Sequence, residues 1–463
     1  MTEECDYLVM GCGAQAMAFV DVMLRETDAT FVMADRRAAP GGHWNDAYPF
    51  VRLHQPSACY GVPSRELGRG TKDKTGFNKG LLDLAPGIKV ANYFHEVMAD
   101  VFLPTGRVSY FPLSEVTPDR DIRHLLSGDL RKVQVRKKLV DATKLNTSIP
   151  LTHKRRFTVA DGVTCIPPND LVRLAPEHDR FTVLGGGKTA IDSVSWLLAN
   201  GAPPESISWV VPRDQWLINR ATMQPGEEFF ETSMGSFARQ FEICATAGSV
   251  REICEQMEVA GAWLRLDPAV EPTMFHGATV TEIELGYLRR ITDVIRKGRV
   301  QALERDRIVL EGGEVAVEPG ALYLDCTANA LGGSVVDRTP VFAPGCISLQ
   351  MVRLFQPTFS AALIAHLEAS IADEAGKQRL AQVVPMTDRP EDWPVSMVPN
   401  LANQYNWTRH EGLGEWIAGC RLDQFGETIR NVRADDAPKR AIRARIGQSL
   451  GPAAANLARL AAA

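Results

Sequence analysis

The sequence predicts an α/β protein that contains two copies of a unit made of a β-strand, a glycine-rich turn and an α-helix. The segment G-C-G-A-Q-A follows the apolar run at 7–10, and the segment G-G-G-K-T-A follows the apolar run at 181–184. Both segments have the pattern G-x-G-x-x-A, and each opens an amphipathic stretch. One such pattern is a weak signal, but two copies in the same context predict two Rossmann-like domains that hold two dinucleotides.

The composition is that of an ordinary globular protein with more than one domain. The chain has 463 residues, of which 45% are apolar and 23% are charged, so two or three domains are expected. The formal net charge is −5 with scattered lysine and arginine, which argues against a nucleic-acid-binding face. No secretory signal or membrane-spanning apolar run is found, so we expect a cytoplasmic protein without a membrane partner.

The nine cysteines form no C-x-x-C or C-x-x-x-x-C pair. Buried, reduced thiols are therefore expected, and a redox-active disulfide between neighbouring cysteines is excluded. No Cys/His cluster has the spacing of a zinc site, so no metal is expected. The sequence leaves open whether the chain forms a homo-oligomer.

The first unit is predicted as a strand over 6–10, a helix over 14–25 and a strand over 30–35. Gly11 permits the tight turn, Gly13 lets the backbone approach a pyrophosphate, and Ala16 lets the helix pack closely on the strand. The free N–H groups at the helix N-terminus favour phosphate. At the end of the second strand Asp35 is placed to accept hydrogen bonds from a ribose, and the adjacent Arg36 belongs to the same candidate site.

In the second unit the glycines and the alanine repeat these roles, but the residue after the second strand differs. That strand covers 207–212 and is followed by Arg213 instead of an acid. A guanidinium pairs with the 2′-phosphate of NADP, so NADPH is preferred over NADH. Asp214 follows directly and leaves NADH open as an alternative. The candidate nucleotide residues here are Gly185, Gly187, Lys188, Thr189, Ala190, Arg213 and Arg220.

The segment after the first unit makes the prediction more specific. It contains Gly41-Gly42-x-Trp44 and then Tyr48-Pro49-x-x-Arg52. With the two glycine turns, these motifs resemble the class B flavoprotein monooxygenases, which include flavin-containing, N-hydroxylating and Baeyer–Villiger monooxygenases. The resemblance covers most of the chain up to about residue 365. It implies that FAD binds the first unit and NADPH the second, with Gly42 and Trp44 beside the flavin.

Two further sequence features bear on the resemblance to this family: its A-T-G-like turns and its Baeyer–Villiger fingerprint. Its A-T-G-like turns correspond to Asp141-Ala142-Thr143 and Asp325-Cys326-Thr327, both without the usual glycine, and Asp325 is a candidate cofactor residue. The Baeyer–Villiger fingerprint F-x-G-x-x-x-H-x-x-x-W is absent, and His54 stands where those enzymes have an acid. Both departures weaken a ketone-to-ester reaction and leave heteroatom oxygenation or hydroxylation open.

The resemblance implies an NADPH- and O₂-dependent monooxygenase that forms a C4a-hydroperoxyflavin and oxygenates a small molecule at nitrogen, sulfur or carbon. Candidate catalytic residues are His54, Arg52, Gln55 and Asn219, and the helix that begins near Thr358 is a candidate for the flavin edge. Two alternatives remain open: an FAD-dependent NADPH oxidoreductase or oxidase without oxygen transfer, and a non-catalytic flavoprotein redox sensor.

The fold class is therefore α/β, with two Rossmann-like dinucleotide-binding domains, the NADP domain inserted into the FAD domain, and a mostly helical C-terminal region. We assign 1–176 to the first part of the FAD-binding domain, 177–324 to the NADPH-binding domain, and 325–463 to the completion of the FAD-binding domain and a C-terminal substrate or cap region. Among the other predicted elements are helices at 77–84 and 91–101, and a substrate-capping loop with Asn400, Asn403, Asn406, Trp407 and His410.

Overall fold

The protein is described by a computed structural model that covers residues 2–145, 148–329 and 338–462. The strands in chain order are β1 Thr2–Met10, β2 Phe31–Ala34, β3 Gly61–Val62, β4 Arg65–Glu66, β5 Val108–Phe111, β6 Ser114–Val116, β7 Ile122–His124, β8 Leu130–Asp141, β9 Thr158–Val159, β10 Cys165–Ile166, β11 Phe181–Leu184, β12 Ile207–Val210, β13 Leu217–Asn219, β14 Trp263–Leu264, β15 Thr279–Val280, β16 Val294–Ile295, β17 Val300–Leu303, β18 Arg307–Leu310, β19 Gly313–Ala316, β20 Leu322–Asp325, β21 Phe342–Ala343 and β22 Cys346–Ser348.

The α-helices in chain order are α1 Ala14–Glu26, α2 Gly87–Val97, α3 Leu171–Leu174, α4 Lys188–Ala199, α5 Phe230–Thr246, α6 Val250–Val259, α7 Glu282–Leu288, α8 Pro357–Ser370, α9 Glu374–Leu380, α10 Asp392–Arg409, α11 Leu413–Gly419, α12 Gly426–Arg430 and α13 Ala437–Ala461. One turn of π-helix at Met98–Phe102 continues α2.

The first sheet has β1 at its centre, with the strand order β21-β22-β8-β1-β2-β5. β1 runs parallel to both β2 and β8. Helices α1 and α8 pack against each other, and their apolar side chains share one core with buried side chains of this sheet. Burial on both faces explains the continuous apolar sequence of the short central strands.

The second sheet has five parallel strands in the order β10-β20-β11-β12-β16. All of these strands lie in the chain between β8 and β22, which are neighbours in the first sheet. The second Rossmann-like domain is therefore inserted into the first. This arrangement confirms the predicted fold class, whereas the residue boundaries of the domains stay a prediction.

Helices from distant parts of the chain form a third packed region. α5, which follows the second Rossmann unit, packs along the C-terminal helix α13, and α10 also contacts α13. Their apolar side chains meet around Trp263, Phe275 and Trp393. The helical insertion of the second domain thus packs against the helical C-terminal region and shares one apolar core with it.

The predicted capping loop around residues 400–410 is wrong, because α10 extends through Arg409. Pro399 lies inside this helix, and proline is normally a signal that a helix ends. Asn403 is buried and donates hydrogen bonds to the carbonyl oxygens of Val352 and Gln382. Asn400 and Trp407 also bond backbone groups of neighbouring segments. These side chains therefore hold the helix in place instead of capping a pocket.

The predicted helix over 77–84 is also absent, since an isolated β-bridge pairs Lys72 with Leu82 there. Asn78 donates to the Asp73 carboxylate and to the Leu82 carbonyl oxygen, and Gln224 accepts the Leu82 N–H. Side-chain hydrogen bonds of this kind compete with helix formation, and here they outweigh the apolar spacing of the sequence.

No α-helix within the described ranges is long and apolar enough to cross a membrane.

The C-terminal region is attached to the first domain by Arg421. Its guanidinium donates to the carbonyl oxygens of four residues in the loop that contains β3 and β4, namely Ala58, Tyr60, Val62 and Arg65. Replacing Arg421 with glutamine leaves several of these acceptors without a donor. We expect the free energy of unfolding to fall by about 2–4 kcal/mol, measured by urea denaturation with circular dichroism.

The matched control is Arg433→Gln, which removes an exposed guanidinium paired with Asp435 on the same C-terminal region. Exposed pairs of this type contribute little, so its unfolding midpoint should equal that of the wild type. An Arg421 variant with an unchanged midpoint would show that the guanidinium is not needed to attach this region.

Candidate functional site

The first glycine turn forms a close backbone cradle at the N-terminus of α1. Gly11 has φ +95°, which places it in the left-handed region that favours glycine. Gly42 has φ +59°, and a Cβ there would lie 2.9 Å from the Cα of Gly13. Gly13, the residue before α1, gives no side-chain cap to the helix. The first N–H groups of α1 therefore remain available to an anion in front of the turn.

Asp35, the predicted ribose-binding residue, holds this turn together. One carboxylate oxygen accepts the Cys12 N–H at 2.6 Å, and the other accepts the Arg37 N–H at 2.8 Å. Asp35 is buried. A carboxylate oxygen can accept more than one hydrogen bond, so these contacts fix Asp35 and leave acceptor capacity for a ligand hydroxyl.

Arg36, in contrast, points away from the turn and pairs with Glu115 at 2.9 Å, and its side chain is mostly exposed. Its assignment to the cofactor site stays a prediction without a supporting contact.

A second element of the first domain directs polar groups toward the same cradle. α8 begins at Pro357, and the preceding Gln356 supplies no side-chain cap. The hydroxyl oxygen of Thr358 in its first turn is buried without a hydrogen-bond partner in the structure. Gln15 of α1 is joined to α8 through the carbonyl oxygen of Pro357 at 3.5 Å. An unpartnered hydroxyl and uncapped N–H groups fit a ligand with hydrogen-bonding oxygens.

The segment 41–55 runs from the first domain onto the second. Trp44 donates its indole N–H to the Tyr60 hydroxyl at 2.9 Å, which fixes the ring within the first domain. Tyr48 donates its hydroxyl to the Asp192 carboxylate of α4 at 2.6 Å. Phe50 stacks on Trp196 of the same helix, with ring centroids 5.4 Å apart. The segment therefore bridges the two domains, and we call the space between their two glycine turns the cleft.

The second glycine turn is also built for close approach. Gly185 has φ +126°, and a Cβ there would lie 2.6 Å from the carbonyl oxygen of Cys326. A Cβ on Gly186 would lie 2.6 Å from the carbonyl oxygen of Arg213. Gly187 leaves the N-terminus of α4 without a side-chain cap. Both turns thus present a free helix N-terminus, with Thr189 and Ala190 in the first turn of α4.

Four charged side chains lie behind the second turn, and we call them the charge cluster: Lys188, Asp192, Arg220 and Glu284. Arg220 and Glu284 are buried, and Lys188 and Asp192 are partly buried. Lys188 pairs with Asp192 and, at 3.3 Å, with Glu284. Arg220 pairs with Glu284 at 3.2 Å. Burial disfavours the charge on Glu284, but Lys188 and Arg220 outweigh that effect and hold its pKa below the usual range. Two cations and two anions balance, so the cluster is neutral.

The charge cluster changes the interpretation of two predicted nucleotide residues. Arg220 is buried and also bonds Thr279 and Asn78. Lys188 is held between two carboxylates, and their attraction outweighs burial and raises its pKa. Both side chains are occupied by protein partners, so the structure offers no support for their direct contact with phosphate.

His54 lies at the surface of the cleft, next to the charge cluster. Its carbonyl oxygen accepts the Thr279 hydroxyl at 2.9 Å. His54 is exposed, although many protein atoms surround its ring and reduce its hydration. This desolvation, together with the Lys188 charge, lowers the pKa of His54 to about 4. The imidazole is therefore neutral at physiological pH.

The other candidate catalytic residues are held mainly by backbone groups. Arg52 donates to the Leu84 carbonyl oxygen at 3.0 Å, and Gln55 donates weakly to the Cys59 carbonyl oxygen at 3.4 Å. Asn219 is buried and accepts the Ala221 N–H while it donates to the Gly261 carbonyl oxygen. Asn219 thus caps a turn, whereas Arg52 and Gln55 belong to the segment that bridges the two domains.

Arg213 lies after β12, next to the second turn, as predicted. Its guanidinium makes two hydrogen bonds, at 2.7 and 3.1 Å, with the carboxylate of Asp388. His276 contacts the same carboxylate at 2.8 Å. Asp214 is occupied by Arg296 at 2.8 Å. Asp214, the acid that leaves NADH as an alternative, is therefore paired with Arg296. A different acid that the sequence did not predict, Asp388, is paired with Arg213.

Asp325 ends β20 and is buried. It accepts the N–H and the hydroxyl of Thr327, and it also contacts His153 and Arg155. Asp141 makes the same pair of bonds to Thr143 at the end of β8. The two domains therefore close their glycine turns with the same Asp-x-Thr turn, and the role of Asp325 in this structure is to hold that turn.

The thiols and the metal-binding side chains give no sign of another redox site. All nine cysteines are free, and burial raises the thiol pKa of Cys12, next to the first turn, and of Cys326, next to the second. No group of three or more His, Cys, Asp or Glu side chains within the described residues is arranged to hold a metal ion.

Four residues of these contacts are not predicted from the sequence: Asp192, Glu284, His276 and Asp388. Asp192 lies four positions after Lys188 on a helix, a spacing that signals an ion pair. Glu284 lies 96 positions from Lys188, and Asp388 lies 175 positions from Arg213; His276 lies 112 positions from Asp388. For these last three no local pattern exists.

The charge cluster predicts a large effect of removing one buried anion. Glu284→Gln leaves two cations with one carboxylate, and breaking such a network costs about 3–5 kcal/mol. We expect the free energy of unfolding to fall by about that amount at pH 7, measured by urea denaturation. Because the pKa of Glu284 is lowered by folding, its contribution is present above the unfolded pKa of about 4.3 and is lost on acidification below it.

The control is Glu282→Gln, an exposed carboxylate in the same first turn of α7. It changes the helix by the same charge but leaves the charge cluster intact, so a change of less than about 1 kcal/mol is expected. Equal effects of the two variants would contradict the role of the charge cluster.

The pKa of His54 can be measured directly and reports on the solvation of its ring. We expect the imidazole to stay neutral down to a pKa of about 4, because the ring is desolvated and lies near Lys188. The measurement is an NMR titration of the histidine side-chain resonances, with the His54→Gln variant used for assignment. A titration midpoint near 6.5 would show instead that water in the cleft solvates the ring fully.

No model of a known protein family matches the chain. Two mycobacterial proteins resemble it over nearly its whole length: Uncharacterized protein Rv2000 of Mycobacterium tuberculosis (strain ATCC 25618 / H37Rv) and Uncharacterized protein Mb2023 of Mycobacterium bovis (strain ATCC BAA-935 / AF2122/97). Each is 43% identical over 459 residues, which cover 99% of this chain and 85% of the relative.

Among solved structures, the polycyclic ketone monooxygenase of the thermophilic fungus Thermothelomyces thermophila superimposes with a TM-score of 0.53. The match covers 97% of this chain and 88% of that chain at 12% sequence identity, so the likeness is one of fold. The chain belongs to the family of the two mycobacterial proteins, and its fold is that of the class B flavoprotein monooxygenases.

Proposed function

We propose that this chain is an FAD- and NADPH-dependent monooxygenase. The overall reaction consumes NADPH, a proton, O₂ and a small molecule, and yields NADP⁺, water and a product with one added oxygen atom. The observation that carries the proposal is the segment 41–55, which bridges two domains that each carry an uncapped glycine turn. Two dinucleotides bound at those turns would meet at this segment.

The residues of the first domain fit FAD. The close approach of Gly13 and Gly42 leaves no room for a side chain on Gly42, which fits a backbone that contacts a pyrophosphate directly. Asp35 retains acceptor capacity for the adenosine ribose, and Trp44 stands beside the cleft. The N-terminus of α8, with the unpartnered Thr358 hydroxyl, would face the polar edge of the flavin ring and favour its anionic reduced form. Bound flavin supplies the reduction of O₂.

The second turn fits NADPH, with the pyrophosphate at the N-terminus of α4 and the 2′-phosphate near Arg213. In this assignment the charge cluster does not bind the nucleotide. It holds α4 against Tyr48 and so keeps the nucleotide wall of the cleft in register with the flavin wall. Positioning of this kind matters because hydride transfer requires close contact of the two rings.

The chain's own side chains would act mainly by excluding water and by holding protons in place. Neutral His54 accepts or donates a hydrogen bond without bringing a charge into the cleft. Arg52 and Gln55 add donors on the same segment. Exclusion of water by the bound cofactors and substrate would favour oxygen transfer over release of peroxide. The raised thiol pKa values beside both turns disfavour a disulfide-based reductase.

The substrate class we favour is a small molecule oxidised at nitrogen, sulfur or carbon, because the Baeyer–Villiger fingerprint is absent and His54 replaces an acid. The test is to follow NADPH oxidation, peroxide release and product mass over a panel of amines, sulfides, indoles and ketones. A product 16 mass units heavier, with its oxygen taken from ¹⁸O₂, supports the proposal. NADPH oxidation that yields peroxide with every compound would favour the oxidase alternative.

The matched control is Gly42→Val, whose side chain would occupy the space in front of Gly13. We expect the purified variant to fold but to lose bound flavin, NADPH oxidation and product together. Full flavin content in this variant would contradict the assignment of the first turn to FAD.

A further inference from the structure

The residue that contacts Arg213 comes from the C-terminal region. Asp388 lies between α9 and α10, and its carboxylate takes both terminal nitrogens of the Arg213 guanidinium. This two-bond geometry is the one by which arginine binds carboxylates and phosphates alike. The carboxylate thus occupies the donor positions that a phosphate would need.

Asp388 is held in this place from several sides. Its N–H donates to the carboxylate of Asp392 at 2.9 Å, and its carbonyl oxygen accepts the Phe275 N–H at 2.9 Å. His276 contacts the carboxylate at 2.8 Å. The Arg213 guanidinium is the largest cause that keeps the pKa of Asp388 well below its usual range. The carboxylate is therefore ionised and fixed, and its position is not that of a mobile surface side chain.

Among the described residues, no second cation beside Asp388 frees the Arg213 guanidinium for a phosphate. The next residue after Arg213 is Asp214, which is paired with Arg296. His276 has a lowered pKa, since burial outweighs its attraction to Asp388, so it is neutral at pH 7. The group that remains beside the end of β12 is a neutral Arg213–Asp388 pair instead of a free cation. A dianionic 2′-phosphate placed there would meet a carboxylate as well as a guanidinium.

We propose that Asp388 is a specificity-determining residue that competes with the nucleotide 2′-phosphate for Arg213. A 2′-phosphate must displace this carboxylate before it binds the guanidinium, which lowers the affinity for NADPH relative to NADH. An unphosphorylated ribose needs no displacement, and its 2′-hydroxyl can donate to the carboxylate. This inference rests on the proposed function only for the assignment of the second turn to a nicotinamide nucleotide.

The test is the affinity of the purified full-length chain for two adenosine probes, measured by isothermal titration calorimetry. Adenosine 2′,5′-bisphosphate carries the 2′-phosphate, and 5′-AMP lacks it. In Asp388→Asn, we expect the affinity for the bisphosphate to rise about tenfold, because a like charge next to a bound phosphate is removed. The affinity for 5′-AMP should change less than about twofold, since no charge conflict exists there.

The matched control is Glu391→Gln, which removes an exposed carboxylate three positions further along the chain. Its bisphosphate affinity should equal that of the wild type, which separates local competition from a general change in charge. In Arg213→Ala the advantage of the bisphosphate over 5′-AMP should disappear, both alone and combined with Asp388→Asn.

The outcomes separate the two proposals. If Asp388→Asn binds the bisphosphate no more tightly than the wild type does, the competition by Asp388 is refuted, whatever the nucleotide. If neither probe binds the wild type or the variants, the assignment of the second turn to a nucleotide fails, and the proposed function fails with it. Thermal unfolding of each variant checks that it is folded, and Asp388→Ala provides a second substitution without an amide.

Discussion

The contact between the two Rossmann-like domains depends on the balanced charges of Lys188, Asp192, Arg220 and Glu284. Arg220 and Glu284 are buried, and Lys188 and Asp192 are partly buried, so each charge would be costly without a partner. Their pairing allows Asp192 to accept the Tyr48 hydroxyl from the first domain. Arg220 also reaches Asn78 of the first domain at 3.4 Å. The charge cluster therefore helps to hold the second domain against the first.

The sequence predicts the fold well because the determining features are local. A glycine with positive φ, a small residue in the next helix turn and a buried parallel strand leave a signature within a few residues, as at Gly11 and Gly185. The errors arise where distant contacts outweigh local preference. Gln224 fixes the backbone at Leu82, where a helix was predicted, and tertiary contacts keep α10 helical through Pro399. Local pattern contains no information about either contact.

In the candidate site, too, the features that depend on neighbouring residues are predictable and those that depend on distant residues are not. The two turns, Asp35 and the segment 41–55 could be found from motifs, since each role depends on neighbouring residues. Lys188 and Arg220 were assigned to phosphate by proximity in sequence, but Glu284, from a distant helix, occupies both of them. Arg213 lies shortly after the second strand, which ends at Val210 and not at the predicted Pro212, and its partner Asp388 is remote in sequence. A motif thus predicts where a charged side chain lies better than it predicts whether that charge is free.

The two domains use the same type of turn beside their glycine turns, but the charged residue after the second strand differs between them. In both, an Asp-x-Thr turn closes the strand next to the glycine turn. In the first domain the acid after the second strand, Asp35, bonds its own glycine turn, so its function needs no other part of the chain. In the second domain the corresponding Arg213 is paired through the C-terminal region. Because Asp388 is anchored beside α10, which packs on α13, the pairing of Arg213 is coupled to the C-terminal helices. The hydrogen bonds of Asp35, in contrast, are made within the first domain.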